Sequence, residues 1–239
     1  MRRFYAPEDS FRDGGVNLDE EQTRHLRNVL RLREGAKVHV FDGAGREFLC
    51  SIREIGKRSA TLDIVQLAEP ASPESGLDLT IAAAILKGEK FDLVVQKLVE
   101  LGVKRLVPLI TLRSDVRPKD AEKKLGRWRK IALEAAKQSG RATMMVIDHP
   151  MDIETFLESA GSTNLAVFSE RDGGKLEALD VTSEFTAVIG PEGGWDDAEL
   201  ALIANQNIPA VTIGGRILRA ETAAIVIAAI LQHRFGDLN

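Results

Sequence analysis

Residues Val188–Leu231 carry two runs whose residue types suit the binding of a small ligand by main chain. The first reads V-I-G-P-E-G-G-W (Val188–Trp195) and the second T-I-G-G-R-I-L-R-A-E-T (Thr212–Thr222). Each reads as a short apolar strand that ends in glycines and is followed by a helix. Glycine admits positive φ and lets a ligand approach the backbone closely. The first turn of a helix offers N–H groups with no intrahelical acceptor. Two such turns side by side form a pocket lined by main chain, suited to a flat, polar ligand. The plainer reading is a pair of ordinary strand-to-helix turns.

Clustered cations offer a second kind of chemistry. Arg24, Arg27, Arg31 and Arg33 stand together without an acid among them, and positions 24, 27 and 31 share one face of a helix. Guanidinium groups match phosphate oxygens well; the alternative is a solvated face paired with Glu20, Glu21 and Glu34. Lys87-Gly88-Glu89-Lys90 follows an apolar strand, so its lysines can meet phosphate or stay in solvent. It lacks the run-up and the final Ser or Thr of a P-loop. Lys119–Arg141 holds eight basic residues against three acidic ones, with Trp128 among them. That pattern suits an RNA backbone, and equally an exposed helix whose Trp128 packs inward with Leu125 and Ile131. Other chemistries find no support. His25, His39, His149 and His233 show no metal-ligand spacing and the lone Cys50 adds none. There is no G-x-S-x-G turn, and Gly43-Ala44-Gly45 joins strand to strand without the third glycine of a dinucleotide site.

The elements that must position these residues fall into two styles. The chain has 239 residues, enough for one large domain or two smaller ones, and at 44% hydrophobic it can bury a core. Basic and acidic residues number 32 and 36, so any attraction for nucleic acid has to be local. A single cysteine excludes an internal disulfide and suits a reducing cytoplasm. M-R-R-F-Y-A-P-E-D shows no apolar secretory region. The longest apolar run, Ala223–Leu231, falls short of the roughly 20 residues that span a membrane. After an extended Phe4-Tyr5, the periodicity predicts a helix over Asp19–Leu32, with Leu26, Val29 and Leu30 on its apolar face and Gly35 as its stop. Asp19 and Gln22 have the spacing of a capping box. Lys37–Phe41, Glu47–Ile55 and Ala60–Leu67 alternate as strands, separated by Gly-rich turns, and predict a small antiparallel β-barrel with Cys50 in its core. Pro70–Gly76 reads as a linker.

From residue 77 strands and helices alternate. Strands are expected at Leu79–Leu86, Val103–Ile110, Thr143–Ile147, Leu165–Ser169, Ala187–Ile189 and Ala210–Ile213. Helices are expected at Phe91–Leu101, Asp120–Ser139 and Asp152–Ser159. This is the pattern of an α/β fold, a parallel sheet with helices on both faces. Ligands in such folds sit beyond the carboxyl ends of the strands, where both glycine turns belong. Thr222–Leu231 is apolar around most of its circumference and so is buried on more than one side. It packs on the core with one face and on a second copy with the other, or lies wholly within one chain.

Gly190–Gly194 (G-P-E-G-G) taken with Leu218–Thr222 (L-R-A-E-T) resembles a known family, the RsmE-type bacterial small-subunit ribosomal RNA uracil-N3 methyltransferases of the SPOUT superfamily. The resemblance runs through the whole chain: R-R-F-Y near the start, H-L-R-N-V-L-R at His25–Arg31, Phe41-Asp42-Gly43, K-G-E-K at Lys87–Lys90, Q-K-x-x-E-L-G at Gln96–Gly102, W-x-K-I-A at Trp128–Ala132 and Arg234-Phe235-Gly236-Asp237. Two departures are mild: Ala220 where Thr is as common, and Ser139-Gly140 where Cys-Gly is common.

The resemblance implies a PUA-like β-barrel over residues 1–70, a linker at 71–76, and an α/β SPOUT domain over 77–239 with a C-terminal trefoil knot. It implies a homodimer with neither metal nor membrane, acting in the cytoplasm on small-subunit ribosomal RNA. The implied methyl donor is S-adenosylmethionine, held on three loops by Phe168, Ser169, Ile189, Gly190, Glu192, Gly193, Gly194, Ile213, Gly214, Ile217 and Leu218. RNA contacts fall to Arg3, Arg24, Arg27, Arg31 and Arg33, with Lys87 and Lys90. Methylation at N3 of uracil needs the N3 proton removed as N3 attacks the methyl carbon, and the anion so formed spreads onto O2 and O4, where a cation stabilises it. Arg219 supplies that charge or orients the base; alternatively it ties its loop to Glu221. Glu221 acts as a general base or satisfies helix-start N–H groups. Two other activities share much of this pattern: a ribose 2′-O-methyltransferase of the same superfamily, and a non-catalytic RNA-binding assembly protein.

Overall fold

A computed structural model of the chain describes residues 2–114, 116–161 and 164–238. These form two compact units. One comprises residues up to Glu74 together with Leu133–Met144, and the other comprises Ser75–Ala132 and the chain from Met145. Residues 133–144, expected with the C-terminal block, thus belong with the N-terminal one.

The N-terminal unit is built on a sheet of six strands: β1 (Arg3–Tyr5), β2 (Phe11–Arg12), β3 (Gly15–Leu18), β4 (Lys37–Phe41), β5 (Glu47–Ile55) and β6 (Ala60–Ala68). Their order is β1-β4-β5-β6-β3-β2. Every pair is antiparallel except β1 with β4. β1 and β2 stand at the two ends of that order. Alternation places Val38, Val40, Cys50, Ile52 and Leu62 on one face, packed with Phe4, Val16, Leu18 and Leu26. Between Leu49–Gln66 and Cys50–Ile64 the register slips by one, leaving Val65 as a bulge. A bulge bends and twists a strand locally. It accounts for the break in phase after Ile64, which leaves Val65 and Leu67 exposed.

The helix expected over Asp19–Leu32 is shorter and changes type. Asp19 accepts a hydrogen bond from the Gln22 amide at 2.7 Å and caps α1 (Glu20–Arg24). His25–Val29 then widens into a π turn, closed by Leu30 N–H to His25 O at 3.0 Å. Arg31 follows with φ of +51°. The helical segment therefore stops at Leu30 rather than Gly35. Leu26 is fully buried, but Val29, expected beside it, is 64% exposed, because the wider turn rotates it away. Arg31 lies past the helix end, so positions 24, 27 and 31 do not share a helical face.

The second unit carries seven parallel strands: β7 (Asp78–Ala84), β8 (Arg105–Ile110), β9 (Val146–Ile147), β10 (Met151–Asp152), β11 (Leu165–Phe168), β12 (Glu184–Ile189) and β13 (Ala210–Val211). The sheet order is β10-β8-β7-β12-β11-β13, with β9 also paired to β8. Its helices are α2 (Lys90–Glu100), the first part of α3 (Pro118–Ser139), α4 (Ile153–Ala160), α5 (Asp197–Asn205) and α6 (Ala220–Phe235). α2 buries Phe91, Val94, Val95 and Leu98 and packs on α6, which lies on β7 and β12. α4 packs on α5, and Phe156, Leu157 and Ile203 share a core with Val107, Val167, Val188 and Trp195. Asp152 caps α4 by accepting the Thr155 amide at 2.8 Å, which holds its carboxyl below the usual range. α6 buries Ala224, Ile227, Ala228 and Leu231, while Ile225, Val226, Ala229 and Ile230 are half-buried. The stretch expected as a linker is packed: Glu74 takes both ends of the Arg141 guanidinium, and the buried Ser75 hydroxyl donates to Gln232 Oε1 at 2.6 Å. Among the described residues no helix is long and apolar enough to cross a membrane.

Candidate active-site pocket

Strands β11 and β12 end side by side, with Phe168 paired to Ile189, and β13 lies on the other side of β11. The chain leaving their carboxyl ends walls a cavity of about 650 Å³. Its walls include Phe168 to Asp172 after β11, Ile189 to Trp195 after β12, and Ile217 to Ala220 at the start of α6. Ligand sites in open parallel sheets occur at this end.

The glycines are required by close packing. A Cβ on Gly190 would stand 2.8 Å from Nε1 of Trp195, so the cavity wall at that point has to be bare backbone. Trp195 is itself buried, and its Nε1–H has no acceptor among the described residues. Gly194 adopts φ of +71° and donates to Pro191 O at 3.0 Å, which closes the P-E-G-G turn. Asp196 then caps α5 by accepting the Ala198 amide at 3.1 Å. The buried Glu199 carboxylate receives the Asp196 amide at 2.9 Å and, from the loop after β8, the Leu112 amide at 2.9 Å. The loop after β11 is fixed by Ser169 N–H to Val211 O at 2.9 Å and by Gly173 N–H to the Thr212 hydroxyl at 2.9 Å. Gly173 has no room for a side chain, since its Cβ would sit 2.6 Å from Thr212 N.

Of the residues expected to hold the donor, Phe168, Ser169, Ile189, Gly190, Glu192, Gly193, Gly194, Ile217 and Leu218 line this cavity, and Ile213 and Gly214 do not. Arg219 lines it from the N-cap of α6, with its carbonyl accepting the Ala223 amide at 2.8 Å. Glu221 is not a wall residue. Its Oε2 is buried without a hydrogen-bond partner, and it makes no bond to Arg219 among the described residues. Lys90 forms an ion pair with Glu192, so it clamps the glycine loop rather than presenting a free cation to phosphate. Lys87 is exposed on the loop after β7. Four wall residues were not singled out from the sequence: Arg113, Arg171, Asp172 and Leu200. The available signal was position, since Arg113 follows the carboxyl end of a parallel strand.

The cations of the N-terminal unit separate into two groups. Arg24, Arg27, Arg31 and Arg33 are exposed, and Arg27 donates to Gly56 O at 3.3 Å and to Asn28 Oδ1 at 3.0 Å. Arg3, expected as a phosphate contact, is buried. Its Nε and Nη2 hold Glu47 at 3.2 and 2.8 Å, and its remaining bonds go to the carbonyls of Ala136, Lys137 and Arg141. Two of these carbonyls belong to the last turn of α3 and the third lies two residues past its end, so Arg3 caps a helix C-terminus, where cations are favoured. Glu47 also meets His39 Nδ1 at 2.9 Å. In the basic segment Trp128 is fully buried against Phe91, ring centres 4.7 Å apart, and Arg127 pairs with Asp92 at 2.6 Å. No group of three or more metal-ligating side chains occurs among the described residues.

A parallel α/β unit with a main-chain-lined cavity at its strand ends and a β unit with exposed arginines are the two parts an RNA-modifying transferase needs. Residues 73–232 match the family model described as an RNA methyltransferase domain, and residues 18–65 match that of an RNA methyltransferase PUA domain. Ribosomal RNA small subunit methyltransferase E of Synechocystis is 33% identical over 237 residues, 95% of this chain and 76% of the relative. The enzyme of that name from Rickettsia conorii is 33% identical, covering 90% of this chain and 87% of its own. The crystal structure of ribosomal RNA small subunit methyltransferase E from Neisseria gonorrhoeae, bound to S-adenosyl methionine, superposes with a TM-score of 0.90 at 33% identity over 100% of both chains. The chain belongs to the ribosomal RNA small subunit methyltransferase E family.

Proposed function

We propose that the chain methylates N3 of a uridine in small-subunit (16S) ribosomal RNA with S-adenosylmethionine as donor. The observation that carries this reading is the cavity at the ends of β11 and β12, whose Gly190 wall is kept bare by Trp195. Its volume falls within the range of small-molecule sites. Phe168, Ile189, Ile217 and Leu218 supply apolar walls for a flat purine, and Glu170 and Asp172 supply acceptors for hydroxyl or ammonium groups. The donor bound to the Neisseria gonorrhoeae relative supports the same assignment.

When bound, the donor supplies an electrophilic methyl carbon, whose bond to sulfur breaks with its electron pair left on sulfur as the N3 lone pair forms the new C–N bond. The N3 proton passes to solvent base at the cavity mouth, and charge spreads onto O2 and O4. Cations along the wall, Arg219 among them, lower the cost of that charge. Glu221 stands outside the wall, so its role is confined to the loop-to-helix junction that presents Arg219. A stacked uridine must leave its stack to enter. Arg24, Arg27, Arg31 and Arg33 hold the ribosomal RNA backbone.

In this reading residues 1–70 are a PUA-like RNA-binding domain and 77–239 a SPOUT domain with a trefoil knot, and the protein works in the cytoplasm as a homodimer. The half-buried Ile225, Val226, Ala229 and Ile230 of α6 support contact with a second copy. The test is transfer of labelled methyl to small subunits isolated from cells lacking the modification, followed by nucleoside analysis. Label in 3-methyluridine is expected. Label in a ribose-methylated nucleoside, or none, overturns the assignment.

A further inference from the structure

We infer that Arg113, on the loop after β8, is the cation that faces the uracil oxygens as charge develops on them, with Asp196 as its positioning residue. The inference rests on the methyl-transfer reading above and adds a catalytic residue to it.

Arg113 lines the same cavity as the two glycine loops. It differs from the other wall arginines in being held. Its Nε lies 3.3 Å from Asp196 Oδ2 and its Nη1 3.4 Å from Gly193 O. Arg171 and Arg219 have no side-chain partner among the described residues. The backbone that carries Arg113 is fixed as well: Leu112 N–H donates to the buried Glu199, and the Ser114 hydroxyl donates to Ile85 O at 3.1 Å. A donor already fixed in place stabilises developing charge without reorganisation, and that is what makes such groups effective. Two edges of the guanidinium are committed to Asp196 and Gly193, and the side chain is still 44% exposed, so its outer edge is open to an entering base. Its free donors can meet one carbonyl oxygen of the uracil from the side, which leaves the in-plane N3 lone pair between O2 and O4 open to the methyl carbon.

The neighbouring walls fit the same occupant. Leu200, which the donor assignment leaves free, lines the cavity and is 44% exposed. It offers apolar contact to the face of a flat ring whose polar edge meets Arg113. The other ionised groups on the walls are Arg171, Arg219, Glu170, Asp172 and Glu192, of which Glu192 is neutralised by Lys90. The acids lie on the loops after β11 and β12, on the side assigned above to the donor.

The experiment compares wild type, Arg113→Ala, Arg113→Lys and Asp196→Asn on unmethylated small subunits, with the affinity for S-adenosylmethionine measured separately by calorimetry. Arg113→Ala is expected to lower kcat about a hundredfold, with donor affinity changed by less than about threefold. Arg113→Lys restores part of the rate, and Asp196→Asn falls between. Because the residue acts on the N3 anion, the loss in Arg113→Ala shrinks as pH rises toward ionisation of the uracil. It shrinks again when 5-fluorouridine, with its more acidic N3, replaces the target uridine. A loss that is constant across pH and with fluorouridine, or one that follows loss of donor binding, makes Arg113 a loop clamp and overturns the inference, as does an unchanged kcat. Wild type that yields no 3-methyluridine overturns the parent reading instead and takes this inference with it.

Discussion

Replacing Arg3 tests whether a cation near the N-terminus holds the fold or holds RNA. Arg3→Met keeps much of the aliphatic stem and removes the guanidinium. Glu47, fully buried, is then left with the His39 ring as a close neighbour, and the carbonyls of Ala136, Lys137 and Arg141 lose their donor. Removing one partner of a buried pair costs about 3–5 kcal/mol, because the other charge stays buried without compensation. Loss of the helix cap adds to this on the order of 1 kcal/mol. Replacing both members by apolar residues removes the stranded charge, so Arg3→Met with Glu47→Leu should recover most of the loss. The assay is amide hydrogen exchange in β4 and β5, which reads the N-terminal unit directly; both tryptophans lie in the other unit. RNA affinity is followed in parallel as a function of salt. A stability loss below about 1 kcal/mol, the scale of an exposed ion pair, together with a salt dependence reduced by about one phosphate contact, would restore Arg3 as an RNA ligand and refute the capping role.

Three further outcomes follow from the same geometry. Gly190→Ala places a methyl group 2.8 Å from the Trp195 indole nitrogen, so the loop or the indole must shift; donor affinity falls at least tenfold by calorimetry while the chain remains folded by circular dichroism. Arg27→Glu with Arg31→Glu weakens binding to small-subunit RNA and lowers its salt dependence by about two phosphate contacts, with donor affinity unchanged; equal loss of both affinities would mean misfolding. Burial, with the charge of Asp63 second, pushes the Cys50 thiol up to about 12, so in the native protein it resists alkylation at pH 9 and reacts once unfolded. Its folded value lies above the unfolded value of about 8.5, so its contribution is intact below that pH and is lost as pH rises toward the folded value, by up to about 1.4 kcal/mol per unit. Urea unfolding of Cys50→Ala should show a shallower alkaline decline than wild type, and an identical decline would remove Cys50 as its cause.

What the sequence made legible was periodic or local. Alternation placed β4, β5 and β6 within a residue or so, and strand–glycine–helix wording located the loops that wall the cavity. What it hid was set by tertiary partners. Arg3 and Arg27 are the same residue type near the same end of the chain. Arg3 is committed because Glu47 stands 44 positions away and the end of α3 more than 130 away. No window of sequence joins those positions. The π turn at His25–Val29 was equally hidden, since it has no proline or glycine to announce it and simply turns Val29 outward while Leu26 and Leu30 keep their inward places. Residues 133–144 joined the N-terminal unit through Met144 N–H to Gly43 O and Gly45 N–H to Ala142 O, bonds that a linker-based division cannot foresee. Arg113 shows the same limit at the cavity. Its type is unremarkable in T-L-R-S, and it acquires a role only because α5 brings Asp196 and Glu199 to the end of β8. A charged residue near a motif is therefore weak ground for a functional assignment until its counter-charge is located, and the cations worth testing are those held in place with an edge still free.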